Sequence, residues 1–306
     1  MPEKMNILLV NIDSKIPNLA LARIEKYHQD RGDRILWDLP IYKSIADKIY
    51  VSAIFDWNKS RCLEWVGDKS EIGGTGWNIE KRLPQEIEEV KARINWGFTT
   101  RGCIRRCAFC CVPQKEGNLH VVGDIYDIWD GKSKNLAIMD NNILGAPEHF
   151  KKICFQLRKE NIKVDFNQGL DIRLLDDDTI EDLKTIPHAR FYRFAWDGKE
   201  ELAEKFEWVY QHLKRCQVYV LCGFNSSFEE DLRKINTLRA IGHDAYCMRY
   251  DTCRKDKKYI LLARWVNQHN LFKVYSWKEF LVAASSGKRR DKIPPELWEL
   301  LSSLRR

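Results

Sequence analysis

The sequence predicts an α/β fold: an open partial (β/α)6 barrel, preceded by a small truncated α/β layer of Rossmann-like type and followed by C-terminal helices. Three observations predict it. Six short apolar runs, at residues 96–100, 136–139, 164–168, 190–195, 218–221 and 245–248, alternate with helical patterns. After the first gap their starts are spaced by about 26–28 residues, one βα unit each. A strand, helix, strand, strand series occupies roughly the first 55 residues, too short for a complete nucleotide-binding domain. Alternation of this kind places a parallel sheet inside and helices outside, and six units fall two short of a closed eight-fold barrel.

In order along the chain, residues 5–11 (MNILLVN) form a continuous apolar run, the pattern of a buried parallel strand. An amphipathic stretch follows Pro17, with Leu19, Ala22, Ile24 and Tyr27 on one face and Gly32 as its stop. Residues 34–39 and 49–55 read as two further strands. Residues 61–94 are a connector. Its GGTG segment lacks the Lys-Ser/Thr ending of a P-loop and the spacing of a dinucleotide fingerprint, so it is read as a tight turn, followed by a charged helix over 83–94. Helical patterns fill 147–160, 177–186, 199–215 and 227–242, with Asp176–Asp178 and Ser226–Ser227 as helix-start chemistry. Helices over 259–266, 277–284 and 294–304 complete the chain. The domains expected are 1–60, the α/β layer; 61–94, the connector; 95–252, the partial barrel; and 253–306, a helical extension with a basic tail.

Composition excludes several classes. Hydrophobic content of 44% with 31% charged residues is that of a globular chain rather than a disordered one. No stretch reaches the roughly 18–20 apolar residues of a membrane span, and the amino terminus carries no secretory pattern, so a cytoplasmic chain with no membrane partner is expected. The net charge of +7 is concentrated in two places. Residues 101–115 hold Arg101, Arg105, Arg106 and Lys115 without an acid, and residues 287–306 hold six basic against three acidic residues.

Of ten cysteines, four crowd into residues 103–111. Cys103, Cys107 and Cys110 form C-x3-C-x2-C on the loop after the first barrel strand, in the segment TTRGCIRRCAFCCVP. Three thiolates this close are expected to converge on one point. Structural zinc asks for four ligands, usually two separated pairs, and no second pair follows. Three thiolates with nothing to complete the set suggest a [4Fe–4S] cluster with one iron left open, which suits catalysis. Cys111, next to the third thiol, is read as a buried thiol or one that packs behind the ligands, rather than as a ligand.

The C-x3-C-x2-C spacing, with the aromatic Phe109 before its third cysteine and a βα series behind it, resembles the radical S-adenosylmethionine (radical SAM) superfamily. The resemblance covers roughly residues 95–250. It implies that Cys103, Cys107 and Cys110 hold three irons while the amino and carboxylate groups of SAM chelate the fourth. One electron, from a donor such as flavodoxin or ferredoxin, then cleaves SAM to methionine and a 5′-deoxyadenosyl radical that abstracts a substrate hydrogen. It also implies a six-stranded partial barrel. Positive charge in the cysteine loop is suited to holding an anionic cluster and adding an electron to it.

The remainder of such a site belongs at the carboxyl ends of the strands. The cofactor-binding candidates are Phe109 in the loop, Asp140, Asn141 and Asn142 after strand two, and Asn167, Gln168 and Arg173 after strand three. Trp196, Gly223 and Arg249 follow strands four, five and six. Asp171, Asp197, Phe224, Asn225, Tyr250 and Asp251 lie beside them. Many family members carry a Gly-Gly-Glu-like stretch after strand two. This chain has MDNNILG there, which gives Asp140 or Asn141 the SAM amino group, and Arg173 is expected at its carboxylate or ribose. The form resembles the branch with an amino-terminal cobalamin-binding-like domain. That branch's D-x-H-x-x-G histidine is missing, since NIDSKIPNLAL has Asp13 but no His, so no cobalamin is expected.

The pairs Cys216/Cys222 and Cys247/Cys253 bracket strands five and six without a recognised ligand spacing, and are read as core. Trp208, Tyr210 and Trp265 are likewise read as core rather than as a stacking platform. No substrate is named by the sequence, and nucleic acid, peptide and metabolite all stay open. The rival function is a non-catalytic Fe–S or zinc protein that binds nucleic acid through its basic loop and tail.

Overall fold

The computed structural model describes residues 4–198 and 201–286, together with Pro294, Pro295 and Leu297. The chain forms two compact units, Met1–Asp165 and Phe166–Arg306.

The first unit begins with β1 (Asn6–Asn11), α1 (Leu19–Asp30), β2 (Arg34–Trp37), β3 (Lys48–Ser52) and β4 (Ser70–Gly73). The strands pair in the order β2-β1-β3-β4, all parallel. Alternation along β1 decides what covers each face. Ile7 and Leu9 pack with Leu21 and Ile24 of α1 and with Ile87. Leu8 and Val10 pack with Cys62 and Trp65, carried on a 3-10 segment, Asp56–Trp65. Asn18 caps α1 by accepting from Leu21 N at 3.2 Å, and Gly32 (φ +83°) ends it. The buried residues of α1 are Leu21, Ile24 and His28, a face rotated from the one expected. His28 lies on the inner side because its ring contacts Asp33 (2.6 Å) and the Tyr50 hydroxyl (3.2 Å).

β4 falls within the segment read as a connector. Its register with β3 runs from Ile49↔Ser70 to Ser52↔Gly73. The GGTG stretch is a tight turn: the amides of Trp77 and Asn78 both donate to the Gly74 carbonyl. Gly74 has φ +94°, and a Cβ there would run into the Ala53 backbone. Of the charged helix expected over 83–94, only α2 (Gln85–Glu88) forms, and Ile87 is its one buried residue. Without an apolar stripe, packing does not extend it.

The strand expected over residues 96–100 is shorter than its apolar run. β5 (Trp96–Gly97) stops, and β6 (Thr100–Arg101) departs to pair antiparallel with β7 (His120–Val121). Between them lie the cysteine loop and α3 (Val112–Lys115). Then follow α4 (Ile125–Ile128), β8 (Asn135–Ile138), α5 (Pro147–Glu160) and β9 (Lys163–Phe166), which ends at the unit boundary. The sheet order β5-β8-β9 follows the chain, and β5 and β8 are parallel. Pro147 opens α5, Phe150, Ile153, Cys154 and Leu157 are among its buried residues, and left-handed Asn161 closes it.

The second unit contains α6 (Asp177–Thr185), β10 (Arg193–Trp196), α7 (Ala203–Leu213), β11 (Gln217–Cys222), α8 (Phe228–Ile241) and β12 (Asp244–Arg249). β10, β11 and β12 are parallel and in chain order. The predicted caps are present: Asp176 accepts from Thr179 N at 2.8 Å, and Ser227 forms a capping box with Glu230. α9 (Lys257–Asn267), α10 (His269–Val274) and α11 (Trp277–Ser286) follow. The expected helix over 294–304 and the basic tail lie outside the described residues, apart from Pro294, Pro295 and Leu297. Trp265 is fully buried, as read. Trp208 is half-buried under Lys205, and Tyr210 is exposed, so these two are not core. Among the described residues no helix is long and apolar enough to cross a membrane.

Candidate metal centre

The cysteine loop, residues 102–119, is tied at its base by the β6–β7 ribbon. Gly102 has φ +77°, and a Cβ there would strike the Asn118 carbonyl, so only glycine lets the two ends of the loop approach. The Cys103 amide donates to Gly117 O (3.3 Å), and a turn brings Cys110 N to Cys107 O (3.0 Å). Cys103, Cys107 and Cys110 are half-buried, and Phe109 sits half-buried among them in sequence. Cys111 is exposed, against expectation; it stands outside the first turn of α3.

Backbone and side-chain N–H groups point at two of the sulfurs. Arg105 N and Asn142 Nδ2 donate to Cys103 Sγ at 3.3 and 3.5 Å. The Val112 amide bonds the Cys110 thiol, whose pKa is nonetheless held up, first by burial and then by the neighbouring thiols Cys111, Cys107 and Cys103. A bound iron would supply the positive charge that such a group of thiolates needs, and N–H···S bonds would stabilise them further. Among the described residues no three His, Cys, Asp or Glu side chains gather tightly enough to hold a single ion. The convergence on one point expected from sequence is therefore not realised. Thiolates on different corners of a cubane stand farther apart than ligands sharing one ion, and the all-sulfur donor set fits a cluster of that kind.

Residues 140–142, after β8, hold the loop from below. Asp140 is 4% exposed and accepts from Thr99 N and from the Thr99 hydroxyl, both at 2.6 Å. That hydroxyl has one proton, given to Asp140, so it accepts from His149 Nε2 at 3.0 Å. Burial raises the Asp140 pKa, and the Thr99 and Thr100 hydrogen bonds pull it back. Asn141 Oδ1 accepts from Gly102 N (3.2 Å), and Asn142 reaches Cys103 as above. Three successive residues thus grip Thr99, Gly102 and Cys103. Both oxygens of Asp140 are engaged by Thr99, so its carboxylate holds the strand end that leads into the loop.

The basic loop is less bare than its sequence suggests. Arg101 pairs with Glu116 (3.1 Å) and Glu88 (3.2 Å), and lies over the Phe98 ring. Glu88 also pairs with Arg23 of α1, so one carboxylate links the amino-terminal layer to the cysteine loop. Asp13, the residue left from the cobalamin pattern, accepts from Ile54 N (2.8 Å), Phe55 N (3.0 Å) and Asn58 Nδ2 (3.2 Å), and so ties the segment after β3.

The other candidates lie in the second unit. The Asn167 carbonyl accepts from the Tyr219 hydroxyl (3.4 Å), and Gln168 is exposed. Arg173 Nε pairs with Asp171 at 2.7 Å. Trp196 is fully buried with its ring against Phe206, so its side chain serves the core. Gly223 has φ +78°; its amide donates to Asp231 (2.8 Å), and Cys253 Sγ fills the place a Cβ would take. Arg249 donates to Arg254 O at 2.6 Å. Cys222 and Cys247 touch through their sulfurs (3.4 Å); this contact and then burial hold the Cys222 thiol protonated, and burial pushes Cys216 up to about 12. All three are buried in the core.

Asp197, beyond β10, stands out. Burial raises its pKa to about 6 against the pull of Arg173 and Lys234. Between about pH 4 and 6 the folded form then holds more protons than the unfolded one, so this group's contribution to stability falls as pH rises. Relative to wild type, Asp197→Asn should gain up to about 3 kcal/mol between pH 4 and pH 7. Urea unfolding at the two pH values checks it; an unchanged difference contradicts it. No protein-family model matches this chain, and no curated protein matches it.

Proposed function

We propose that this chain is a radical SAM enzyme acting on a still unidentified substrate. The observation that carries the reading is the loop of residues 102–119: three half-buried thiols in C-x3-C-x2-C order after β5, with N–H groups directed at Cys103 and Cys110. When bound, a [4Fe–4S] cluster and SAM supply reductive cleavage to a 5′-deoxyadenosyl radical that takes a hydrogen atom from substrate. In this reading the six strands belong to one open partial (β/α)6 barrel. β1–β4 form a degenerate cobalamin-binding-like layer without cobalamin.

Cys103, Cys107 and Cys110 would hold three irons. Asn142 and the Arg105 amide steady the first of these thiolates, and the Asp140–Thr99–His149 chain keeps the strand end that carries the loop in place. Asp140 or Asn141 is assigned to the SAM amino group and Arg173 to its carboxylate or ribose. An external flavodoxin or ferredoxin provides the electron, and the chain works in the cytoplasm.

The test is SAM binding. Protein reconstituted anaerobically with iron and sulfide should bind SAM, and the metal-free protein should not. A non-catalytic Fe–S or zinc protein would keep its metal and show no SAM affinity, which would overturn the reading.

A further inference from the structure

The second unit has a cavity of about 590 Å3 at the amino-terminal ends of its strands. Its wall is made by Arg193, Gln217 and Asp244, the first residues of β10, β11 and β12, by the segment before β10, and by α9 and α10. The candidates for SAM in this unit lie at the opposite, carboxyl ends. Five residue steps along β12 separate Asp244 from Arg249, about 16 Å of strand. The cavity is therefore a separate place, and its size is that of a small-molecule site.

Its chemistry is selective. Arg190, Arg193, His188 and His269 line it together with a single carboxylate, Asp244. That carboxylate is shared between Arg215 (3.4 Å) and His269 (3.2 Å), so it is not left to repel an anion. Aromatic surface comes from Phe191, Tyr246 and Phe272. Phe191 is 42% exposed and Tyr246 39% exposed, large apolar rings left open beside cationic groups. Arg215 already lies 4.2 Å from the Phe191 ring centroid, fixing that ring in place. Gln217 accepts from Arg193 Nε (3.1 Å), which orients the guanidinium at the cavity floor. Asn267, by contrast, is fully used: its amide bonds both the N–H and the carbonyl of Cys247. An inorganic anion would not need the rings, and an apolar ligand would not need the arginines.

We propose that this cavity binds a nucleoside phosphate, its base against Phe191 and Tyr246 and its phosphate at Arg190 and Arg193. A free nucleotide and one residue of a single strand present the same base and phosphate, and both suit the site. The proposal stands independently of the cysteine loop.

The experiment is titration of the full-length protein with AMP, adenosine, inorganic phosphate and a short single-stranded adenosine oligonucleotide, followed by tryptophan fluorescence or calorimetry. AMP should bind more tightly than adenosine or phosphate. Arg190→Ala and Phe191→Ala should each weaken it by about tenfold. Both positions are exposed, so neither variant should unfold the protein, and circular dichroism checks this. An oligonucleotide that binds more tightly than AMP identifies a strand as the source, and equal or weaker binding identifies the free nucleotide. If AMP binds no better than its two halves, or if both variants bind it as wild type does, the proposal is wrong.

Discussion

Replacing Cys103, Cys107 and Cys110 together by alanine is expected to take the iron of the reconstituted protein from about four atoms per chain to none, with loss of the visible absorption. The three thiols are only half-buried, so the apo-fold should survive with its circular dichroism unchanged. Cys111→Ala should retain the full iron count, because that thiol is exposed and outside the set. The double variant Cys216→Ala, Cys222→Ala should retain it too, since burial keeps those thiols protonated in the core of the second unit. Iron that persists in the triple variant, or that disappears in the double one, would place the metal elsewhere.

The second large effect concerns Asp140. Its alanine variant leaves the Thr99 amide and hydroxyl without their acceptor in a site from which water is excluded. Each orphaned group costs about 1–3 kcal/mol, so a loss of roughly 3 kcal/mol is expected in urea unfolding of the metal-free protein. Asp140→Asn keeps an acceptor oxygen and should lose less. Because Thr99 lies three residues before Gly102, where Asn141 holds the loop, the alanine variant should also release iron faster to a chelator. Wild-type stability in Asp140→Ala would mean that the network does not hold the strand end.

Much of this was legible in the sequence because it is local. The helices over 147–160 and 228–241 declare themselves by periodicity and caps, and the parallel strands by short apolar runs at one spacing. The three-cysteine loop is likewise a local pattern. What was not legible depends on partners far along the chain. Nothing near Glu88 says that it joins Arg23 to Arg101, and nothing near Thr99 announces Asp140 and His149, at separations of 41 and 50 residues. β4 was missed because Ser70–Gly73 has a single buried apolar residue, Ile72, and becomes a strand by adding to the edge of β3. Trp196 reads as a polar-loop neighbour yet belongs to the helix-facing side of β10, a distinction that strand register makes and composition does not. Cys111 was expected inside because its neighbours are ligand candidates; the turn into α3 carries it out.

The charge of the loop also takes a different meaning. Of its four cations, Arg101 is committed to Glu88 and Glu116, so the loop offers less bare positive charge than its sequence shows. A polyanion drawn to the loop is correspondingly disfavoured.

The central claim is tested most directly by one product. Protein carrying a [4Fe–4S] cluster, reduced anaerobically with dithionite and given SAM, should form 5′-deoxyadenosine in amounts that scale with cluster content. A protein that shows the cluster spectrum and forms none would contradict the account.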